Sequence, residues 1–122
     1  LLDSSEEGAA DGQMIPALGV IPGKVVKFPS DKTVDLGMKV PQMGWNNITD
    51  VKAPLFDASL EGKFVYFVHS FYAPLCPFTV ATTNHTLSYS SAPHKDNSSA
   101  TQFHPEKSGD VGEAILRNFL AL

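Results

Sequence analysis

The sequence predicts an α/β domain, and three stretches carry that prediction. Residues 64–71 read Phe-Val-Tyr-Phe-Val-His-Ser-Phe, a nearly continuous aromatic and β-branched run that fits a strand covered on both faces. Residues 109–122 are the clearest helix: Val111, Ile115, Leu116, Phe119 and Leu120 fall on one face and Glu113, Arg117 and Asn118 on the other. Between them, residues 100–110 pass from Ala-Thr-Gln-Phe into His104-Pro105-Glu106 and then a polar, glycine-containing segment, which reads as strand, turn, helix.

At 122 residues the chain is one domain or a piece of one. Its 43% hydrophobic and 18% charged content exclude disorder throughout. A formal charge of −4 with scattered Lys and Arg argues against nucleic acid or an anionic membrane as partner. No apolar run approaches the roughly 20 residues that span a bilayer. Cys76 stands alone, so an internal disulfide is excluded, which points to a reducing, cytoplasmic compartment. Sequons at Asn47, Asn84 and Asn97 matter only for a secreted chain, and no signal peptide is visible.

Taken in order, residues 1–8 lack an initiator methionine and read as the last turn of a helix entering a loop, so the chain is expected to begin inside a domain. Residues 6–14 form a polar connection. An apolar segment closes on Pro22-Gly23, and residues 24–28 are a strand followed by a Pro-Ser-Asp-Lys turn. Residues 38–46 contain Pro41, which has no N–H for a ladder, and so predict an edge strand or extended loop. Met43 and Trp45 on it suit a contact surface, while Trp45 suits the core equally well. Residues 57–62 are a short turn. Residues 79–83 and 87–90 are short strands joined by a turn at Asn84-His85, and Lys95-Asp96-Asn97 turns into a strand over 100–103. Asp110 and Glu113 have capping-box spacing, placing the helix start at or just after Asp110.

The sharpest chemical signal is His104-Pro105-Glu106. Pro105 biases His104 towards an extended conformation, keeping the imidazole at the strand end while Glu106 is carried round the turn. That arrangement supplies a general base and a carboxylate to orient it. A nucleophile is harder to find. Cys76 sits between Leu75 and Pro77 without a neighbouring cation or a glycine elbow, and reads as a structural thiol. His69, His85, His94 and His104 are spread over four segments without metal-ligand spacing. Ser70 and Ser108 lack the Gly-x-Ser-x-Gly context of a triad serine.

Four stretches together resemble the class I (triad) glutamine amidotransferases in order and spacing, and within them the glutaminase subunits of imidazole glycerol phosphate synthase. They are Lys39-Val40-Pro41-Gln42-Met43-Gly44-Trp45-Asn46, Tyr66-Phe67-Val68-His69-Ser70-Phe71-Tyr72, Ala81-Thr82-Thr83 and Thr101-Gln102-Phe103-His104-Pro105-Glu106-Lys107-Ser108. The resemblance implies a three-layer αβα fold, present here as a C-terminal fragment over residues 1–122, and a Cys-His-Glu triad without cofactor or metal. It gives His104 the role of base and acid and Glu106 that of orienting carboxylate. His69, Ser70 and Phe71 match the segment lining the glutamine site. Pro41, Met43, Gly44, Trp45, Asn46 and Lys107 match positions facing a (βα)8-barrel cyclase that uses the ammonia.

The family's nucleophile lies on a Gly-x-Cys-x-Gly elbow, followed by a Ser-Glu-Glu-Gly-like segment similar to Ser5-Glu6-Glu7-Gly8. The resemblance therefore places the nucleophile before residue 1, leaving the chain alone inactive. Competing readings are another class I amidotransferase, serving anthranilate, aminodeoxychorismate, guanine or carbamoyl phosphate synthesis, and a non-catalytic binding module of this fold.

Overall fold

The computed structural model describes residues 2–7, 15–16, 18–28, 42–85 and 87–122. In chain order these form β1 (Ser4–Ser5), β2 (Ile15–Pro16), β3 (Lys24–Lys27), β4 (Gln42–Asn47), β5 (Phe64–His69), β6 (Phe71–Tyr72), β7 (Thr79–His85), β8 (Leu87–Lys95), β9 (Ser98–Ser99) and helix α1 (Gly109–Leu120). Two 3-10 turns, Ala58–Leu60 and Pro105–Lys107, punctuate them.

The strands make three sheets, ordered β2-β1-β3-β6, β4-β5 and β7-β8-β9. β1 and β3 are parallel, and the other pairs are antiparallel. Short links join the sheets into one core. Thr49 and Thr82 exchange backbone hydrogen bonds of 2.8 Å, Ser90 N–H donates to Ala73 O at 2.9 Å, and Phe28 N–H donates to Ser70 O at 3.1 Å.

Period-two patterning explains β4 and β5. Val65, Phe67 and His69 point inward, Phe64 and Val68 stay exposed, and Gln42 lies opposite His69 in the register. Inside, Phe28, Phe56, Phe67, Tyr89, Phe103 and Ile115 meet in one cluster, each contributing about 1.5–3 kcal/mol by its burial. Helix α1 buries Ile115 in this cluster, and its Asn118 amide donates to Leu55 O at 3.0 Å.

The α/β class, the strand over residues 24–27, the turn near residues 57–62 and the edge character of β4 agree with expectation among the described residues. Other elements differ. Residues 64–71 are not one strand covered on both faces. β5 stops at His69, Phe71 moves to pair with Lys27, and the described residues leave Phe64 and Val68 exposed. Residues 100–103 are not a strand: Ala100 and Gln102 N–H donate to Pro93 O and Ser91 O of β8, and the next N–H, that of His104, turns away to Tyr66 O of β5. The segment thus runs on beside β8 past β9 and leaves it for β5 at His104.

Asn84 and His85 lie within β7, opposite Ser88 and Leu87, and β8 continues past Ser90 to Lys95. No capping box forms at Asp110. Helix α1 begins at Gly109 after Ser108, and Glu113 pairs with Arg117 instead. Asn118 turns inward rather than to the polar face, while Leu116, Phe119 and Leu120 remain exposed. Residues 2–7 form no helix; they contain β1. Pro41, the segment at residues 8–14 and the turn after Phe28 lie outside the described residues.

Candidate active site

The His-Pro-Glu turn is rigid because three separate elements hold it. Pro105 opens the 3-10 turn from an extended His104 (φ −99, ψ 98). His104 N–H donates to Tyr66 O at 3.0 Å, docking the turn on the middle of β5. Ser108, 1% exposed, then closes the loop: its hydroxyl donates to His104 O at 2.7 Å and accepts from Tyr66 N–H at 3.0 Å. Both backbone polar groups of Tyr66 are thereby used to position the turn. From the other side comes Gly112 in the first part of α1. A Cβ there would lie 1.9 Å from Pro105 O, so only glycine permits this approach of helix to turn.

On that platform His104 Nδ1 donates to Glu106 Oε1 at 2.9 Å. A carboxylate only accepts, so the proton sits on Nδ1 and Nε2 presents its lone pair as a base. The two side chains are 41% and 60% exposed, so Nε2 is accessible. The Glu106 carboxyl is held below its ordinary value of 4.5, first by its own backbone N–H, and further by the hydrogen bond and charge of His104 and by Lys107. Glu106 is therefore an anion, fit to orient the ring and stabilise its protonated form.

His69 lies three residues after Tyr66 on β5 and is 9% exposed. Its Nδ1 donates to Phe71 O at 2.8 Å, and its Nε2 faces Gln42 Oε1 at 2.8 Å and the Tyr89 hydroxyl at 3.1 Å. Burial lowers its pKa below 6.5, with smaller contributions from His85 and His104. Burial likewise raises the Tyr89 phenol. Ser70 and Phe71 are half-buried at the break between β5 and β6. Thus the side chain of His69 faces a buried network.

The remaining predicted residues spread over the outer side of β4. Trp45 is 57% exposed and stacks edge-on against Tyr66 at 6.0 Å; Met43 is 68% exposed. Gly44 takes φ +115, a conformation that favours glycine. Asn46 is occupied internally, its amide donating to Asn84 O at 2.9 Å and its carbonyl oxygen accepting from Asn47 N–H at 2.8 Å. Lys107 is exposed beside Glu106. Cys76 is half-buried, its N–H donating to Thr79 Oγ1 at 3.0 Å and its sulfur accepting from that hydroxyl at 3.7 Å.

Sequence reasoning missed the parts that hold the site. Gly112 had a signal, since glycine inside a helix costs about 1 kcal/mol relative to alanine and marks a close approach. Ser108, examined only as a nucleophile, and the paired role of Tyr66 had none.

Among the described residues no cluster of His, Cys, Asp or Glu could hold a metal ion, and no helix is long and apolar enough to cross a membrane.

The family model for class I glutamine amidotransferases matches residues 12–122. The chain is 51% identical over 118 residues to a Bacteroides thetaiotaomicron protein named imidazole glycerol phosphate synthase subunit HisH, covering 97% of this chain and 56% of that one. It is 48% identical over 118 residues to a protein of the same name from Bacteroides fragilis, with the same coverage. With another from Methanosarcina mazei it shares 45% over 127 residues, 100% of this chain and 58% of that one. The chain spans little more than half the length of these curated relatives. With this match over most of the sequence, the chain belongs to the class I glutamine amidotransferase family, with its α/β fold.

Proposed function

We propose that this chain is the C-terminal part of a glutaminase domain that hydrolyses glutamine and delivers ammonia to a cyclase partner, as a subunit of imidazole glycerol phosphate synthase in cytoplasmic histidine biosynthesis. The observation that carries the reading is the His104–Glu106 hydrogen bond of 2.9 Å, which leaves Nε2 free to act as a base. The identity to the HisH proteins supports the choice of partner and pathway.

In this reading the triad cysteine lies in the part of the domain before residue 1. His104 Nε2 takes the thiol proton, and the thiolate attacks the side-chain amide carbon of glutamine. The imidazolium, stabilised by Glu106, gives its proton to the leaving nitrogen, so that ammonia departs and a glutamyl thioester remains. Water, deprotonated by the same Nε2, then attacks the thioester and releases glutamate while the proton returns to the thiol. The backbone of His69, Ser70 and Phe71 lines the glutamine site. Met43, Gly44, Trp45, Asn46 and Lys107, with Pro41 beyond the described residues, face a (βα)8-barrel cyclase. The exposure of Met43 and Trp45 supports that assignment, whereas the internal bonds of Asn46 make it a support for the strand.

The test is glutamate and ammonia release by the protein extended upstream of Leu1, with and without the cyclase. Release stimulated by the cyclase, and none from residues 1–122 alone, is expected. An extended protein that neither binds the cyclase nor releases ammonia overturns the reading.

A further inference from the structure

A buried glutamine opens the edge strand that also carries the exposed tryptophan. Gln42 is 4% exposed, while its neighbours outward on β4, Met43 and Trp45, are largely open. A buried amide needs hydrogen-bond partners, and Gln42 finds them on two other strands. It lies opposite His69 of β5 in the register, with Oε1 2.8 Å from Nε2, and accepts from the Tyr89 hydroxyl of β8 at 2.7 Å. The rings of Phe28 and Phe67 enclose this network, with centroids 5.3 Å and 5.5 Å from that of His69.

The network has a visible output. Phe71 O can only accept, so His69 Nδ1 carries a proton and donates it across Ser70, fixing the direction of the Phe71 carbonyl. Ser70 O is in turn held by Phe28 N–H. The 69–71 backbone is therefore shaped by how the His69 ring is seated, and Gln42 and Tyr89 seat it through Nε2. A half-turn of the terminal amide presents either an oxygen to Nε2–H or an amino group to a bare Nε2. An apolar residue at this place would offer neither.

We infer that Gln42, together with Tyr89, is a positioning residue of the glutamine site, linking the backbone of residues 69–71 to the strand whose outer face bears Met43 and Trp45. The inference rests on the glutaminase reading and adds to it two residues that act through His69. They touch no substrate, so their loss changes how glutamine is held rather than the chemical step.

The experiment uses the full-length protein with its cyclase partner and three variants: Gln42→Met, Tyr89→Phe and Gln42→Glu. Gln42→Met and Tyr89→Phe should raise the KM for glutamine by about tenfold and change kcat by less than about threefold. Gln42→Glu puts a carboxylate, which only accepts, against a bare Nε2 and should raise KM as Gln42→Met does. In parallel, proton NMR of the free full-length protein with labelled histidine follows the His69 Nδ1–H, whose exchange with water should quicken in Gln42→Met and Tyr89→Phe.

A KM unchanged in Gln42→Met and Tyr89→Phe of an active enzyme overturns the inference alone, as does Gln42→Glu keeping the parent KM. A parent protein that releases no ammonia overturns the glutaminase reading and this inference with it. Should Gln42→Met not fold, Tyr89→Phe and Gln42→Glu still decide.

Discussion

The hydroxyl of Ser108 donates to the carbonyl oxygen of His104 at 2.7 Å, four residues back along the chain, while accepting from the N–H of Tyr66. One buried side chain thus couples the His104 turn to strand β5. Ser108→Ala leaves the Tyr66 N–H unpaired in a buried place and should destabilise the protein by about 1–3 kcal/mol. Gly112→Ala drives a methyl group onto the Pro105 carbonyl and should cost a similar amount, about 1–3 kcal/mol, by overpacking. Chemical denaturation measures both; two variants as stable as the parent would show the turn to be held otherwise.

Trp45 should affect association and not folding. Its exposure places Trp45→Ala within about 0.5 kcal/mol of the parent in unfolding experiments. A central aromatic at an interface is worth about 2 kcal/mol or more, so cyclase affinity should fall by at least about tenfold. Calorimetric titration with the cyclase distinguishes this from a variant that unfolds.

Cys76→Ser should leave ammonia release by the full-length protein unchanged within about twofold, since this half-buried thiol contacts Thr79 rather than His104. A loss of several powers of ten would make Cys76 the nucleophile.

The pH dependence of stability follows from His69. Burial lowers its folded pKa below 6.5, so in the window between 6.5 and the folded value the unfolded chain binds a proton that the folded protein refuses. Stability contributed by the neutral ring is present above 6.5, falls as pH drops through that window, and levels off below the folded pKa. Asp57 acts in a separate, more acidic window. Its carboxyl, lowered below 3.8 by the Ser59 and Asn118 side chains, loses its contribution as pH falls from that value through the folded one. Urea midpoints from about pH 5 to pH 7.5 should slope for the parent and flatten for His69→Gln. Equal slopes in the two would remove His69 as the cause.

Local patterning made much of this architecture readable. β-Branched and aromatic runs announced β3, β5 and the β7-β8 pair, and the i, i+4 apolar spacing announced α1. The errors came where tertiary partners override local pattern. Residues 100–103 favour a strand by composition, and Ala100 and Gln102 do donate to β8, but the chain is drawn off to β5 at His104. Residues 64–71 look uniformly buried, yet the strand breaks at Ser70, where Phe71 leaves to pair with Lys27. The same division holds for the site. His104 and Glu106 lie two residues apart across a proline, and their contact is written in that spacing. Ser108, Tyr66 and Gly112 meet across 42 or more residues or through a helix packing contact, and Gln42 finds Tyr89 across 47. Apart from the mid-helix glycine at 112, nothing local in the sequence encodes those meetings.

The most direct test of the central claim is the rate of ammonia release from glutamine by full-length protein in complex with the cyclase, comparing the parent with His104→Ala and Glu106→Gln. His104→Ala should lower kcat by about three or more powers of ten, and Glu106→Gln by less, because the ring keeps a partner at Nδ1 but loses the anion. A His104→Ala enzyme that releases ammonia at the parent rate would contradict the account.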